Sequence, residues 1–309
     1  MSTNQTFTIK VPGSTSNLGP GFDSIGMAVD RYLVLRVARA DSWSFRYLDL
    51  PEFCPPVNEN LIYQTAKRLA DLHHALLPCC SIDVRSDIPL ARGLGSSGAA
   101  IIAGIELADY LLDLGLANEE KSWFACRAEG HPDNVTASLY GGLVVSAQST
   151  EQVESVCLPV PDFSFVTLIP NFELKTSEAR RVLPASLSHK EAVEGSSVAN
   201  VLICALLEHN GPLAGKMMES DRFHQSYRSG LLPHFSKARM LAKKAGAFGT
   251  FLSGAGPTLM SLASRQNDES IQKALQEGFP DYQCIILHPV SRGSICEKAS
   301  AAGQSTGEA

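Results

Sequence analysis

The chain has 309 residues, 44% of them hydrophobic, a net charge of −6 and a sequence pI near 5.8. That length suits one large domain or two ordinary ones around an ordinary globular core. The acidic balance argues against a nucleic-acid binder and leaves room for a local basic pocket that takes an anion. The start, MSTNQTFTIKV, lacks the charged-then-apolar layout of a signal peptide. No stretch reaches the roughly 18 apolar residues of a membrane helix, so a cytoplasmic location is expected. Eight cysteines, at 54, 79, 80, 126, 157, 204, 284 and 296, include no C-x-x-C pair. Adjacent Cys79 and Cys80 cannot easily bond each other, so buried free thiols in a reducing cytosol are expected.

In chain order, residues 7–11 and 32–38 have the branched, alternating look of strands. Residues 60–74 place Leu61, Ala66, Leu69, Ala70 and Leu72 near helical spacing. Residues 81–86 alternate again until Pro89 breaks the pattern, and 99–112 is too long for a strand and reads as a helix. Residues 123–128 look like a helix end and 143–147 like a strand. The stretch STEQVESVCLPVPD, 149–162, carries two prolines after a polar lead-in and marks the approximate domain boundary. A strand at 165–169, helices at 196–209, 212–220 and 233–245, and an apolar strand pair within 249–263 follow. Two domains are expected, 1–155 and 156–295, with a small, polar, disordered tail over 296–309.

Between Pro89 and the helix lies Gly93-Leu94-Gly95-Ser96-Ser97-Gly98, a formal G-x-G-x-x-G. The dinucleotide fingerprint needs a strand ending at the first glycine and an acid about 20 residues on. Here Pro89-Leu90-Ala91-Arg92 intervenes, and Glu106, Asp109 and Asp113 come too early. A Walker loop fails for want of a lysine after the last glycine, and the protein-kinase loop should lie between strands rather than open a helix. A G-x-S-x-G nucleophile fails because Leu94 and Ala99 occupy positions that must be glycine. A structural turn with a serine N-cap is the bland alternative. Phosphate cradling explains more: glycines let the backbone approach an anion, helix N–H groups point at it, and serine hydroxyls add donors.

Two more glycine-rich stretches accompany the loop: VPGSTSNLGPGFDSIGMAVD at 11–30 and GTFLSGAGPTLMSL at 249–262. Together with PLARGLGSSGAA they resemble the three signature motifs of the GHMP small-molecule kinases. NLGPGFDSIG at 17–26 and EGHPDNV at 129–135 look most like the homoserine kinase family within that superfamily. The resemblance spans roughly residues 7–290. It implies an α+β, two-domain GHMP kinase fold, with an N-terminal ribosomal-protein-S5-like domain and a C-terminal ferredoxin-like domain. It also implies ATP and Mg²⁺ as cofactors, L-homoserine as substrate, O-phospho-L-homoserine as product for threonine biosynthesis, and a homodimer.

Carried over by resemblance, Pro89, Leu90, Ala91, Arg92, Gly93, Leu94, Gly95, Ser96, Ser97, Gly98 and Ala99 bind the triphosphate, and Asn60 contacts the adenine. Ser97 matches the family's magnesium ligand. Magnesium also wants a carboxylate, and the expected one is Glu129. In some relatives that glutamate lies further upstream, where this chain has Trp123. An amino-acid substrate needs a cation, an anion and polar orienters. Arg180 of the T-x-x-x-R element begun by Thr176, and Arg228, match the family's carboxylate-binding arginines; a guanidinium suits that task better than an ammonium. Asn17 and Asp23 resemble its contacts to the amine and hydroxyl end, and His131 and Asn134 those of the HPDN turn. Galactokinase and mevalonate kinase relatives carry an aspartate where this chain has Asn134, which accepts no proton at neutral pH. Positioning and electrostatics are therefore expected to dominate, with little help from a base.

Alternatives remain open. A kinase for another small alcohol, mevalonate or shikimate, would leave an acid dedicated to ammonium without a purpose. A non-catalytic binding protein would have no use for the intact loop serines and matched arginines.

Overall fold

The computed structural model describes residues 6–50, 52–53 and 55–298. Strands β1 (Thr6–Ser16) and β2 (Ile25–Arg39) form a long antiparallel pair with a bulge at Pro12/Gly13. β2 then pairs with β4 (Cys80–Ser86), and β4 pairs in parallel with β3 (Ser44–Tyr47). Helices α1 (Leu61–Leu72) and α2 (Ser96–Leu112) fill the connections around β4. Alternation decides which strand face is buried: Phe7, Ile9, Val11, Leu33, Leu35, Val37, Ile82 and Val84 point inward, and α2 lies on them, apolar and buried along most of its length.

Helix α3 (Asn118–Glu129) ends at Gly130, and α4 (Asp133–Tyr140) begins three residues later. β5 (Leu143–Gln148) pairs with the start of β2, and β6 (Val153–Leu158) pairs with β5. A Cβ on Gly26 of β2 would lie 1.8 Å from the carbonyl oxygen of Asp133, so only glycine lets α4 come this close.

The second sheet follows the path β–α–β–β–α–β. β7 (Ser164–Ile169) leads through α5 (Thr176–Arg181), α6 (His189–Leu207), α7 (Gly211–Met218), the short α8 (Gln225–Arg228) and α9 (Phe235–Lys244). Then come β8 (Gly249–Leu252), β9 (Leu259–Ala263), α10 (Asp268–Gly278) and β10 (Gln283–Leu287). The order β10-β7-β9-β8, all antiparallel, is the ferredoxin-like arrangement. β7 is buried on both faces: Phe165 and Ile169 join the large core with α2, while Val166 and Leu168 join a second core under α9 and α10.

The expected helices and strands are present; the first two strands and α2 run longer than expected, whereas α1, α7 and α9 are shorter. Two domain limits need correction. β6 carries the first sheet past position 155 to Leu158. β11 (Ile295–Lys298) returns to pair with Phe7–Lys10, so residues 296–298 are sheet; the rest of the expected tail lies outside the described residues. The return is anchored beside a buried ion group. Ser294 donates to Glu106 at 2.7 Å, and Lys121 reaches Glu106 at 2.9 Å and Asp109 at 2.7 Å. The seven described cysteines are free, yet Cys157 and Cys204 are exposed, against the expectation of burial; Cys54 lies outside the described residues. Gly26→Ala is expected to lower stability to urea by about 3 kcal/mol by forcing α4 off β2; an unchanged midpoint would contradict this packing.

Candidate active site

The loop before α2 ends at Gly95, which caps the helix with φ 72° and no side-chain hydrogen bond. The alternative reading of a serine N-cap therefore fails. A Cβ on Gly95 would stand 2.2 Å from the Ser14 hydroxyl oxygen, so close packing as well as positive φ requires glycine here. The first backbone N–H to find an intrahelical acceptor is that of Ala99, on Gly95 at 2.9 Å. The N–H groups of Ser96, Ser97 and Gly98 precede it at the positive end of a 17-residue helix, the standard place for an anion.

The third motif braces this loop. Ser253 donates to the Gly93 carbonyl at 2.6 Å, and the Gly254 N–H donates to Ser16 at 3.2 Å. The Gly254 carbonyl accepts from Asn17 Nδ2 at 3.1 Å and from Arg228 Nη1 at 3.0 Å. The first motif is a strained turn, with Asn17 (φ 69°), Leu18 (47°) and Asp23 (53°) in the left-handed region. Asn17 stabilises it by accepting from the Asp23 N–H at 3.0 Å. Asn17 is thus a brace as well as part of the wall.

These segments enclose a cavity of about 290 Å³. Among the residues expected at the site, Asn17, Asp23, Ala91, Gly93, Gly95, Ser96, Ser97, Glu129, His131, Asn134, Thr176, Arg180 and Arg228 line it. Others do not reach it. Arg92 turns away to bond the carbonyls of Pro170 and Asn171 at 3.1 and 3.3 Å and to pair with Glu173. Leu94 and Ala99 are wholly buried, and Pro89 and Gly98 lie behind the wall. A second, more apolar cavity of similar size adjoins the first through Ser96 and Ser97 and is lined by Leu33, Tyr47, Phe53, Ile88 and Leu90, among others. Asn60 lines it too. Its amide oxygen caps α1 at Ile62 (3.0 Å), and its nitrogen donates to the Tyr47 hydroxyl at 2.8 Å.

Ser97 donates to Glu129 at 2.8 Å, so a hydroxyl and a carboxylate from different helices meet at the α2 N-terminus. Burial raises the Glu129 pKa against the opposing pull of His131 and Ser97, and a nearby cation would relieve that cost. Hard oxygen donors of this kind fit magnesium. Trp123 lies outside the cavity, its indole N–H donating to the Glu151 carbonyl at 3.1 Å. His131 Nδ1 lies 2.6 Å from Asp133 Oδ1, which also accepts the Asn134 N–H at 2.8 Å. Burial opposes charge on His131, but the hydrogen bond and field of Asp133, with Glu129 and Asp23, outweigh it and raise its pKa.

Asn134 is pinned at both ends, accepting from Ser14 and donating to Ser16, each at 3.0 Å. Arg180 holds both oxygens of Asp23, at 3.0 and 2.7 Å. Both side chains are about one-third exposed, so this pair opens at low cost. Arg228 is 1% exposed and touches no carboxylate; burial and the nearby Arg180 charge bring its pKa down to about 10. Asp23, His131 and Asp133 present ligand-type atoms within 4.8 Å of one another. Asp23 is already engaged by Arg180 and His131 by Asp133, so this cluster suits an ammonium better than a metal ion.

Sequence reasoning missed Ser14, Ser16, Phe22, Tyr47, Phe53 and His224. Ser14, Ser16 and Phe22 stand inside the first motif and could have been suspected from it. Phe22 carries both arginines over its ring, Arg228 at 5.3 Å and Arg180 at 5.4 Å from the centroid.

A phosphate-ready helix N-terminus beside an acid–arginine pair, on this pair of sheets, defines a small-molecule kinase of the GHMP type. The GHMP kinases N terminal domain matches residues 60–142 and the GHMP kinases C terminal domain residues 202–281. The homoserine kinase of Bacillus pumilus is 48% identical over 292 residues, 94% of each chain. The homoserine kinase structure from Cytophaga hutchinsonii superposes with a TM-score of 0.83 at 26% identity, covering 96% of this chain and 98% of that one. Methanococcus jannaschii mevalonate kinase, 17% identical with a TM-score of 0.71 over 91% and 98% of the two chains, shares the fold. The chain belongs to the homoserine kinase family of the GHMP kinase superfamily.

In an NMR pH titration the His131 imidazole is expected to titrate above 6.5, its ordinary value. Asp133→Asn should bring the midpoint down, because it removes the main partner and leaves burial to act; an unmoved midpoint would discount the pair.

Proposed function

We propose that the chain transfers the γ-phosphoryl group of ATP to the side-chain hydroxyl of L-homoserine, giving O-phospho-L-homoserine for threonine biosynthesis. One observation carries the reading: a single cavity holds an anion cradle at the α2 N-terminus and, beside it, acid and guanidinium groups matched to a zwitterion. The adjoining apolar cavity takes the adenine, and the N–H groups of Ser96 and Ser97, with the serine hydroxyls, take the phosphates. Ser97 and Glu129 hold magnesium, which when bound neutralises charge on the transferred and leaving phosphates.

Asp23 and Arg180 neutralise each other. An amino acid offers each a new partner, its ammonium to Asp23 and its carboxylate to Arg180 and Arg228, so exchange conserves the number of ion pairs. Among the described residues no carboxylate contacts Arg228, which leaves the substrate anion to complement that buried charge. The hydroxyl is then held near the pinned amide of Asn134 and the His131–Asp133 pair. Asp133 Oδ1 is committed to two donors, so orientation and electrostatics carry the step rather than proton abstraction. A homodimer and a cytoplasmic location complete the proposal; among the described residues no helix is long and apolar enough to cross a membrane.

Purified protein with ATP and magnesium, offered homoserine, threonine, mevalonate, shikimate and galactose while ADP release is followed, is expected to respond to homoserine. Stimulation by mevalonate instead would replace the substrate while keeping the class. Ser97→Ala should cut magnesium-dependent turnover by about 100-fold with little change in melting temperature; full activity would remove Ser97 as a metal ligand. Asp133→Asn should retain measurable kcat. A collapse of kcat with homoserine KM preserved would restore a base to the mechanism.

A further inference from the structure

The mechanism above does not use the one wholly buried histidine at the edge of the cavity. His224 has no exposed surface, and it stacks on Phe22 at 5.2 Å between ring centroids. Its Nε2 lies 2.8 Å from the Gly19 carbonyl oxygen, and its Nδ1 lies 3.0 Å from Nη1 of Arg228. The two neighbours dictate its state. A carbonyl only accepts and a guanidinium only donates, so Nε2 carries the hydrogen and Nδ1 presents a lone pair. A charged ring would aim a second N–H at a buried cation.

Arg228 is otherwise held by backbone alone. Its Nε donates to Ala179 at 3.1 Å and its Nη1 to Gly254 at 3.0 Å. Among the described residues Nη2 has no protein partner, and Arg228 lines the cavity. Among the described residues the imidazole is the one side chain that hydrogen-bonds this guanidinium, and with the Ala179 and Gly254 carbonyls it sets the rotation of the plane and hence where Nη2 stands. His224 itself is set by the first motif through Gly19 and by Asp221, whose carboxylate accepts the His224 and Gln225 N–H groups at 2.9 and 2.6 Å.

We propose that His224, as a neutral Nε2–H tautomer, is a positioning residue that links the Gly19 turn to Arg228 and aims its free nitrogen at the carboxylate of the amino-acid substrate. The inference rests on the proposed role of Arg228, and the test separates the two. His224 touches no reacting group; it acts through the arginine, in the manner of the outer partners that orient ligating side chains elsewhere.

Two amide substitutions divide its bonds. Gln places a nitrogen near the Nε2 position and keeps the donor to Gly19, while losing the acceptor for Arg228. Asn places an oxygen near the Nδ1 position and keeps that acceptor, while losing the donor. In steady-state kinetics on the full chain, His224→Gln is expected to raise the homoserine KM about tenfold, and His224→Asn by only about twofold, with the ATP KM unchanged in both. Arg228→Lys should raise the homoserine KM as well, and adding His224→Gln to it should cost little more, because the imidazole would have nothing left to aim.

Equal effects of Gln and Asn, a parallel rise in the ATP KM, or additive effects in the double variant would overturn the positioning role while leaving Arg228 in place. An unchanged homoserine KM in Arg228→Lys would overturn both readings. Should either His224 variant fail to fold, ¹⁵N-histidine NMR of the unsubstituted protein decides. The Nε2–H tautomer is expected for His224, with the Nδ1 resonance shifting when homoserine is added. An Nδ1–H tautomer, or no shift on saturation with homoserine, refutes the proposal.

Discussion

The carbonyl oxygen of Gly254 accepts from Asn17 and from Arg228, and on this pair of hydrogen bonds the site depends. Asn17 belongs to the turn between β1 and β2, Arg228 to a short helix of the second half, and Gly254 to the turn between β8 and β9. Next to it Ser253 bonds the Gly93 carbonyl of the phosphate loop and lies 2.8 Å from Thr15. Segments some 240 residues apart are therefore locked together by groups that are almost entirely buried. In so dry a setting each unmade bond is costly, which makes the arrangement all-or-none. The glycines around it let the backbones come close enough.

The electrostatics follow from this frame. Arg228 is held in the interior by carbonyls and an imidazole, Arg180 and Asp23 pair at the mouth, and Glu129 stands half-buried beside Ser97. Arg228 and Glu129 carry a charge or solvation deficit that an amino acid and a divalent cation would relieve, and the Asp23–Arg180 pair can exchange partners with a zwitterion. Building such deficits into a rigid wall is how a protein concentrates binding energy at the reacting groups. Phe22, near both guanidinium groups and stacked on His224, offers each cation the face of its ring without adding a competing anion.

Much of this was legible along the chain because the motifs are local. The loop at 93–98, the NLGPGFD turn and the HPDN turn each carry their residues within a few positions. Periodicity likewise marked α1 and the central strands, and the length of its apolar run marked α2. β3, α4, α5, α10, β10 and β11 escaped it, being short or only partly buried on one face. β11 is the clearest instance: four residues of mixed character become a strand only because β1 offers an open edge.

Residue type and spacing by themselves determined a glycine-rich helix start suited to phosphate; serine with glutamate for a hard cation, and acid with arginines for an amino acid, came from the resemblance of the motifs to the GHMP kinases. They could not decide which loop residues face the ligand. Arg92 reads as a phosphate contact by position, yet the nearby Pro170 and Asn171 carbonyls draw its guanidinium away from the cavity. Nor could they bring His224 to Gly19, or Ser14 and Ser16 to Asn134. Those are bonds between distant segments. Their geometry exists only after two cores have formed on either side of β7 and brought the turns to one place.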